Sequence, residues 1–221
     1  MQRLFWVKLL HFFPMNLIIE FMIKIFLLLL IPCLSAWASV VGISTHPLNE
    51  EGRLLSAGMT GYMSQHHEVG MGLRYTQEIT SGQIFDMTVS GAQDSRGLVL
   101  GGGMDFEVLH EEESQPRFSL KPYYQLQKQD ADKSNLLGFA PTLRKGFSIS
   151  GLEFFPFLAL PSGLKIDSST DIFVYYASLT LGASMPLPVA GGDKLLASIE
   201  TNKNLGASSD YVGVLISWVW K

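Results

Sequence analysis

Residues 210–221 read D-Y-V-G-V-L-I-S-W-V-W-K, and the placement of their side chains decides how the rest of the chain is read. In an extended strand, successive side chains point to opposite faces. Val212, Val214, Ile216, Trp218 and Trp220 therefore share one face, and Tyr211, Gly213, Leu215, Ser217 and Val219 share the other. The first face is wholly apolar and ends in two tryptophans. The second is small and mixed.

The same period of two recurs towards the N-terminus in segments near residues 54–64, 69–76, 85–90, 98–108, 118–127, 137–144, 152–158, 171–184 and 195–200. In most of them an apolar phase alternates with a polar or glycine-rich one. Val69, Met71, Leu73 and Tyr75 oppose Gly70, Gly72, Arg74 and Thr76; Phe118, Leu120, Pro122, Tyr124 and Leu126 oppose Ser119, Lys121, Tyr123, Gln125 and Gln127. Polar turns punctuate them, including Gln65-His66-His67-Glu68, Thr80-Ser81-Gly82, the acidic run 111–116 and a longer loop expected over 161–169. These segments run from six to fourteen residues, around the nine to eleven that a tilted strand needs to cross a bilayer. No helical period competes after residue 50. Ten strands are expected, with eight as the alternative. Short segments of this kind are the sequence signature of a transmembrane β-barrel. Pro122, Pro141 and Pro156 count against it, because a closed barrel has no free edge on which to hide a missing N–H.

The closing strand resembles the last strand of small bacterial outer-membrane, porin-like β-barrels. It departs from them at Lys221, where that family ends in an aromatic residue. The resemblance implies an all-β, closed antiparallel up-and-down barrel over 53–221, embedded in the outer membrane with lipid as the partner of its exterior. It also implies that Tyr211, Trp218 and Trp220 form the signal read by the barrel-assembly machinery.

The front of the chain fits export. Lys24 precedes an apolar block at 25–31, followed by Pro32, Cys33 and Ala36-Trp37-Ala38. A basic residue, a short apolar core and an A-x-A site make a secretory signal peptide over 1–38, cleaved after Ala38. Arg3, Lys8 and Glu20 interrupt the stretch before it, which points to a start at Met15 or Met22. The rival readings are a retained membrane anchor and a lipoprotein signal through Cys33. The anchor is disfavoured by a block shorter than a membrane span, and the lipoprotein by Pro32 directly before the cysteine. Residues 39–52 read as a periplasmic lead-in. Of 16 basic and 20 acidic residues, three and one lie in 1–38, so the mature chain keeps 13 and 19, a net charge of −6. That excludes the basic footprint of a nucleic-acid binder. Cys33, the only cysteine, leaves with the signal.

On the expected inward phase lie Arg74, Asp86, Asp105, Glu107, Lys121, Arg144, Glu153 and Glu200. Isolated buried charges are costly, so these side chains should pair across strands. One reading is a salt-bridged plug. Another is a small pore, weakly cation-preferring because five acids face three bases. A lipid-modifying outer-membrane enzyme would use a histidine, a serine and an acid near the rim. Ser64, His66, His67, Glu68, Asp94 and Ser95 supply the types without a defensible spacing, so no catalytic residue is assigned. No Cys/His/Asp pattern supports a designed metal site, and no cofactor is expected. Gly101-Gly102-Gly103 precedes no helix and so is no phosphate loop. A soluble lipocalin-like barrel with an apolar ligand would invert the faces, apolar inside and polar outside.

Overall fold

The computed structural model describes residues 52–62, 69–92, 97–129, 132–149, 151–168, 173–187, 194–205 and 210–220. The expected signal peptide, nearly all of the lead-in and the loop residues His66, His67, Glu68, Asp94 and Ser95 lie outside them.

Twelve strand segments follow in chain order. They are β1 Arg53–Tyr62, β2 Val69–Thr80, β3 Gln83–Ala92, β4 Gly97–Leu109, β5 Arg117–Gln129, β6 Asp132–Arg144, β7 Phe147–Ile149, β8 Leu152–Ala159, β9 Ser162–Asp167, β10 Phe173–Leu187, β11 Lys194–Asn204 and β12 Tyr211–Trp220. Neighbours pair antiparallel, and β1 closes on β12 from Arg53↔Trp220 to Tyr62↔Tyr211. The closing strand β12 is thus hydrogen-bonded on both sides, to β1 and β11. The result is a closed antiparallel barrel of ten strands.

Twelve segments make ten strands because prolines interrupt two of them. Arg144 pairs with Phe157 and Phe147 with Phe154, so β7 continues the line of β6 against β8. Thr142 pairs with Ala159 and Phe139 with Ser162, so β9 likewise continues β8. The gap between β8 and β9 falls at Leu160-Pro161, opposite Pro141. Proline lacks the N–H that a ladder needs, but its carbonyl still accepts. Pro141 accepts from the Leu160 amide at 3.0 Å, Pro161 from Ser178 at 2.9 Å and Pro156 from Lys145 at 3.2 Å. Pro122 sits where the β4–β5 ladder lapses between Gly103↔Tyr123 and Phe106↔Leu120. Each proline in question therefore costs a local break and leaves the ring closed.

Some loop boundaries differ from expectation. The stretch 161–169, expected as a loop, holds the strand Ser162–Asp167, and β6 starts at Asp132 within the expected loop 130–134. On β6 the alternation that marks a strand in sequence fades there, with Lys133 and Asn135 at outward positions, while on β9 Leu164 and Ile166 keep the outward phase apolar after Pro161.

The alternation resolves inside from outside. Ser56, Thr60, Arg74, Asp86, Asp105, Lys121, Gln125, Thr180, Ser198 and Glu200 are buried. Leu73, Met87, Leu100, Leu137, Ile199, Val214 and Trp218 are exposed. The polar phase faces in and the apolar phase faces out, the reverse of the soluble lipocalin-like alternative. A soluble protein rarely exposes so continuous an apolar exterior, whereas lipid demands one, together with a backbone hydrogen-bonded without a free edge.

Candidate functional site: the charged lumen

The lumen is built from the inward phase of adjacent strands, and its centre is Asp86 on β3. Strand pairing sets Asp86 opposite Thr76 of β2 and Gly103 of β4. Arg74, two positions along β2, brings Nη2 to 3.3 Å from Asp86 Oδ2. From the other side Lys121 on β5 places Nζ 2.5 Å from the same oxygen. To do so it must reach over β4, and Gly103 makes that possible. A Cβ at Gly103 would lie 3.0 Å from Lys121 Cε and 2.9 Å from the Pro122 carbonyl oxygen. One carboxylate thus holds two cations from strands on either side.

A second group lies towards the end of the barrel where β1 begins and β12 ends. Arg117 and Arg144 are directly opposed on β5 and β6. Like charges in that position repel, and the acids of β4 offset them. Arg117 Nε lies 2.6 Å from Glu107 Oε2, close enough for strong attraction although its N–H is not aimed at that oxygen. Arg117 Nη2 lies 3.8 Å from Asp105 Oδ2. Glu107 also meets the exposed His110, 2.7 Å from Nδ1. Asp105 is only 1% exposed, so its charge depends on the guanidinium beside it rather than on water.

The other wall is made of β10, β11, β12 and β1, and it is lined by hydroxyls interleaved with Leu54, Leu196 and Leu215. Thr180 donates to Asn202 at 2.8 Å, and Ser217 donates to Ser56 at 2.8 Å. Its long acid, Glu200, is 2% exposed and accepts from the Tyr211 hydroxyl at 3.0 Å. Between the walls runs the row Tyr123↔Gly138↔Gly163↔Tyr176. The two tyrosine hydroxyls meet in a hydrogen bond across the two glycines. A Cβ at Gly138 would run into the Tyr176 hydroxyl and the Ser162 carbonyl.

Of the residues singled out in the sequence, Arg74, Asp86, Asp105, Lys121, Arg144 and Glu200 are buried in the lumen and Glu107 is half-buried at its margin. Glu153 is exposed. It keeps the inward phase but sits opposite Ser148 on the β7–β8 hairpin, beyond the last rung that β8 shares with β10. Arg117 and Glu78, both buried, were missed. Alternation from Ser119 and from Thr76 leads directly to them, but each lies next to a turn. With Glu153 outside and these two inside, five acids face four bases, which halves the charge excess behind a cation-preferring lining. The Tyr211 side chain points to Glu200, Trp218 faces outward, and the Trp220 side chain is outside the described set. Among the described residues, no group of three or more His, Cys, Asp or Glu is placed to hold a metal ion.

No protein-family model matches the chain. No curated protein sequence matches it either. Solved structures do. A de novo designed transmembrane β-barrel is 12% identical over 79% of this chain and 100% of its own, with a TM-score of 0.37. The N-terminal β-barrel domain of Pseudomonas aeruginosa OprF is 13% identical over 77% of this chain and 98% of its own, with a TM-score of 0.33. Ail, the attachment invasion locus protein of Yersinia pestis, is 13% identical over 78% of this chain and 100% of its own, with a TM-score of 0.32.

Proposed function

We propose that this chain is a structural β-barrel of a Gram-negative outer membrane, its lumen closed by its own charged side chains. Membrane lipid is the partner of the exterior, the closing strand is the segment offered to the barrel-assembly machinery, and no enzymatic step is assigned to it. The observation that carries the plug is the shared carboxylate of Asp86. Lys121 spans β4 to reach it while Arg74 holds it from β2. A wet pore would leave such ions to water, where a surface pair is worth little and long side chains stay mobile. Here the Lys121 side chain is 7% exposed and the Asp86 side chain 5%. A ten-strand barrel is only slightly wider than the eight-strand size that side chains can fill. The near balance of acids and bases favours this reading over a selective pore.

The test has two parts. Cell fractionation with heat-modifiable gel mobility should place a folded barrel in the outer-membrane fraction. The purified protein in a planar bilayer should give no stepwise current. Reproducible current steps would replace the plug with a pore, and recovery in the soluble periplasmic fraction would remove the membrane reading.

A further inference from the structure

The apolar exterior is not equally tall around the barrel. On β12 the outward apolar positions from Val212 to Trp220 span nine residues, and on β1 Arg53, paired with Trp220, bounds them. Along β8 and β9 the outward positions run Leu152, Phe154, Pro156, Leu158, Leu160, Leu164 and Ile166, broken only by Ser162. At about 3.3 Å per residue and a tilt of about 40°, the first run is roughly 20 Å tall and the second roughly 35 Å, against an apolar band of about 25 Å in barrels of this type. At the end where β1 begins, the excess lies in the β7–β8 hairpin and in the stretch Met185–Leu187 of β10 beside it, both past the last β8–β10 rung at Ser184↔Phe155.

The hairpin is two-faced. Phe147 and Phe154 are directly opposed on its outward side, with Leu152 beside them, and they are 50%, 39% and 62% exposed. The other side carries Gly146, Ser148 and Glu153. Its base is clamped. The Gly146 amide donates to Glu111 Oε1 at 2.6 Å, and the Lys145 ammonium turns aside to the carbonyls of Glu112 and Gln115. A Cβ at Gly146 would meet the Phe155 ring at 3.0 Å. The hairpin is therefore held in line with the wall, its apolar face continuous with Leu143 and Leu158 of the lipid-facing belt.

We propose that this hairpin is a membrane-interface anchor: Phe147, Leu152 and Phe154 rest in the boundary between headgroups and acyl chains. An isolated hairpin with free edges and bare aromatics in water invites strand pairing with another chain, and insertion to a depth of about 5–10 Å relieves that exposure. The anchor makes one side of the barrel deeper-seated than the side closed by β1 and β12. It rests on the transmembrane reading above, and its test separates the two.

The full chain carrying Cys33→Ser is labelled with an environment-sensitive fluorophore at Leu152→Cys, Val214→Cys or Glu153→Cys and folded into vesicles of brominated lipid. Leu152 should lose fluorescence most to bromine placed shallow on the acyl chain, Val214 most to bromine placed deep, and Glu153 to iodide in the water. Quenching of Leu152 by iodide alone, with Val214 still quenched by lipid, would overturn the anchor and leave the barrel in the membrane. Insensitivity of both to lipid would overturn the membrane reading itself. If Leu152→Cys gives no heat-modifiable band, the label moves to Phe147→Cys across the hairpin, with the same two outcomes.

Discussion

The two walls of the lumen satisfy the same constraint in different ways. On β2 to β6 the inward phase carries Arg74, Asp86, Asp105, Arg117, Lys121 and Arg144. On β10 to β12 and β1 it carries Ser178, Thr180, Ser184, Ser198, Ser217, Ser56 and Thr60. The charged wall works at long reach, with Lys121 crossing a whole strand over Gly103. The hydroxyl wall works between next neighbours, as in Ser217 to Ser56 and Thr180 to Asn202. Apart from Glu200 and the buried Leu54, Leu196 and Leu215, the side chains of the second wall are short, which leaves volume for the long side chains of the first, since interiors are close-packed. Loss of a partner should therefore be costly on the first wall and mild on the second.

The largest effect is expected at Asp86. Asp86→Ala removes the carboxylate shared by Arg74 and Lys121 and leaves two buried cations facing each other. Breaking a buried pair by deleting one partner costs about 3–5 kcal/mol. A urea titration of the barrel folded in lipid vesicles should show a loss of that order. Asp86→Asn keeps the shape and one acceptor and should fall between Ala and wild type. If Asp86→Ala lost no more than a hydroxyl-wall variant, the charged wall would be wet and the contrast would collapse.

Lys121→Met comes next. Asp86 keeps Arg74 at 3.3 Å, so the carboxylate is not stranded. The loss is one charge-assisted hydrogen bond, about 1.5–3 kcal/mol. Planar-bilayer recording on the same variant sharpens the point. A plugged lumen predicts lower stability and still no current, whereas an open one predicts unchanged stability and a shift towards cations.

Gly138→Ala probes the row that joins the walls. The new methyl would collide with the Tyr176 hydroxyl and the Ser162 carbonyl, neither of which can yield without breaking the tyrosine pair or the ladder. Overpacking of this kind costs about 1–3 kcal/mol. The double variant Gly138→Ala with Tyr176→Phe should recover part of it. No recovery would place the strain in the backbone alone.

The barrel was legible from Val212 to Trp220, because period-two alternation with apolar residues outside leaves few folds open. The lumen was legible as a phase, and Arg74, Asp86, Lys121 and Glu200 fell on it. Which charges meet was not. Asp105 and Glu107 on β4 look like neighbours for Lys121 on β5, yet Lys121 passes over Gly103 to Asp86 and leaves them to Arg117. Pairing depends on side-chain length and on a missing Cβ, neither of which alternation encodes. Glu153 misled for a related reason: phase says which way a side chain points, not how far its strand climbs above the ring. The prolines misled too. They read as evidence against a closed sheet, but a carbonyl that still accepts lets the ring close around each break.

The smallest effect is expected at Ser217, and it tests the second half of the contrast. Its hydroxyl is buried and donates to Ser56 at 2.8 Å. Ser217→Ala deletes that bond and leaves the Ser56 oxygen to find a partner. A neutral hydrogen bond contributes about 0.5–1.5 kcal/mol, and an orphaned hydroxyl adds to the loss only if nothing replaces the donor. Ser217→Ala with Ser56→Ala removes both ends at once, and a pair replaced by apolar groups of similar shape is nearly neutral. The double variant should therefore be as stable as the single or more so, and urea midpoints in vesicles would show it. On the charged wall the analogous pairing of Asp86→Ala with Lys121→Met should recover only part of the loss, because Arg74 is still left without its carboxylate. Full recovery on the hydroxyl wall and partial recovery on the charged one is the pattern the two walls require. Equal recovery on both would mean that reach across the lumen has no energetic weight, and that the lumen is filled by size alone.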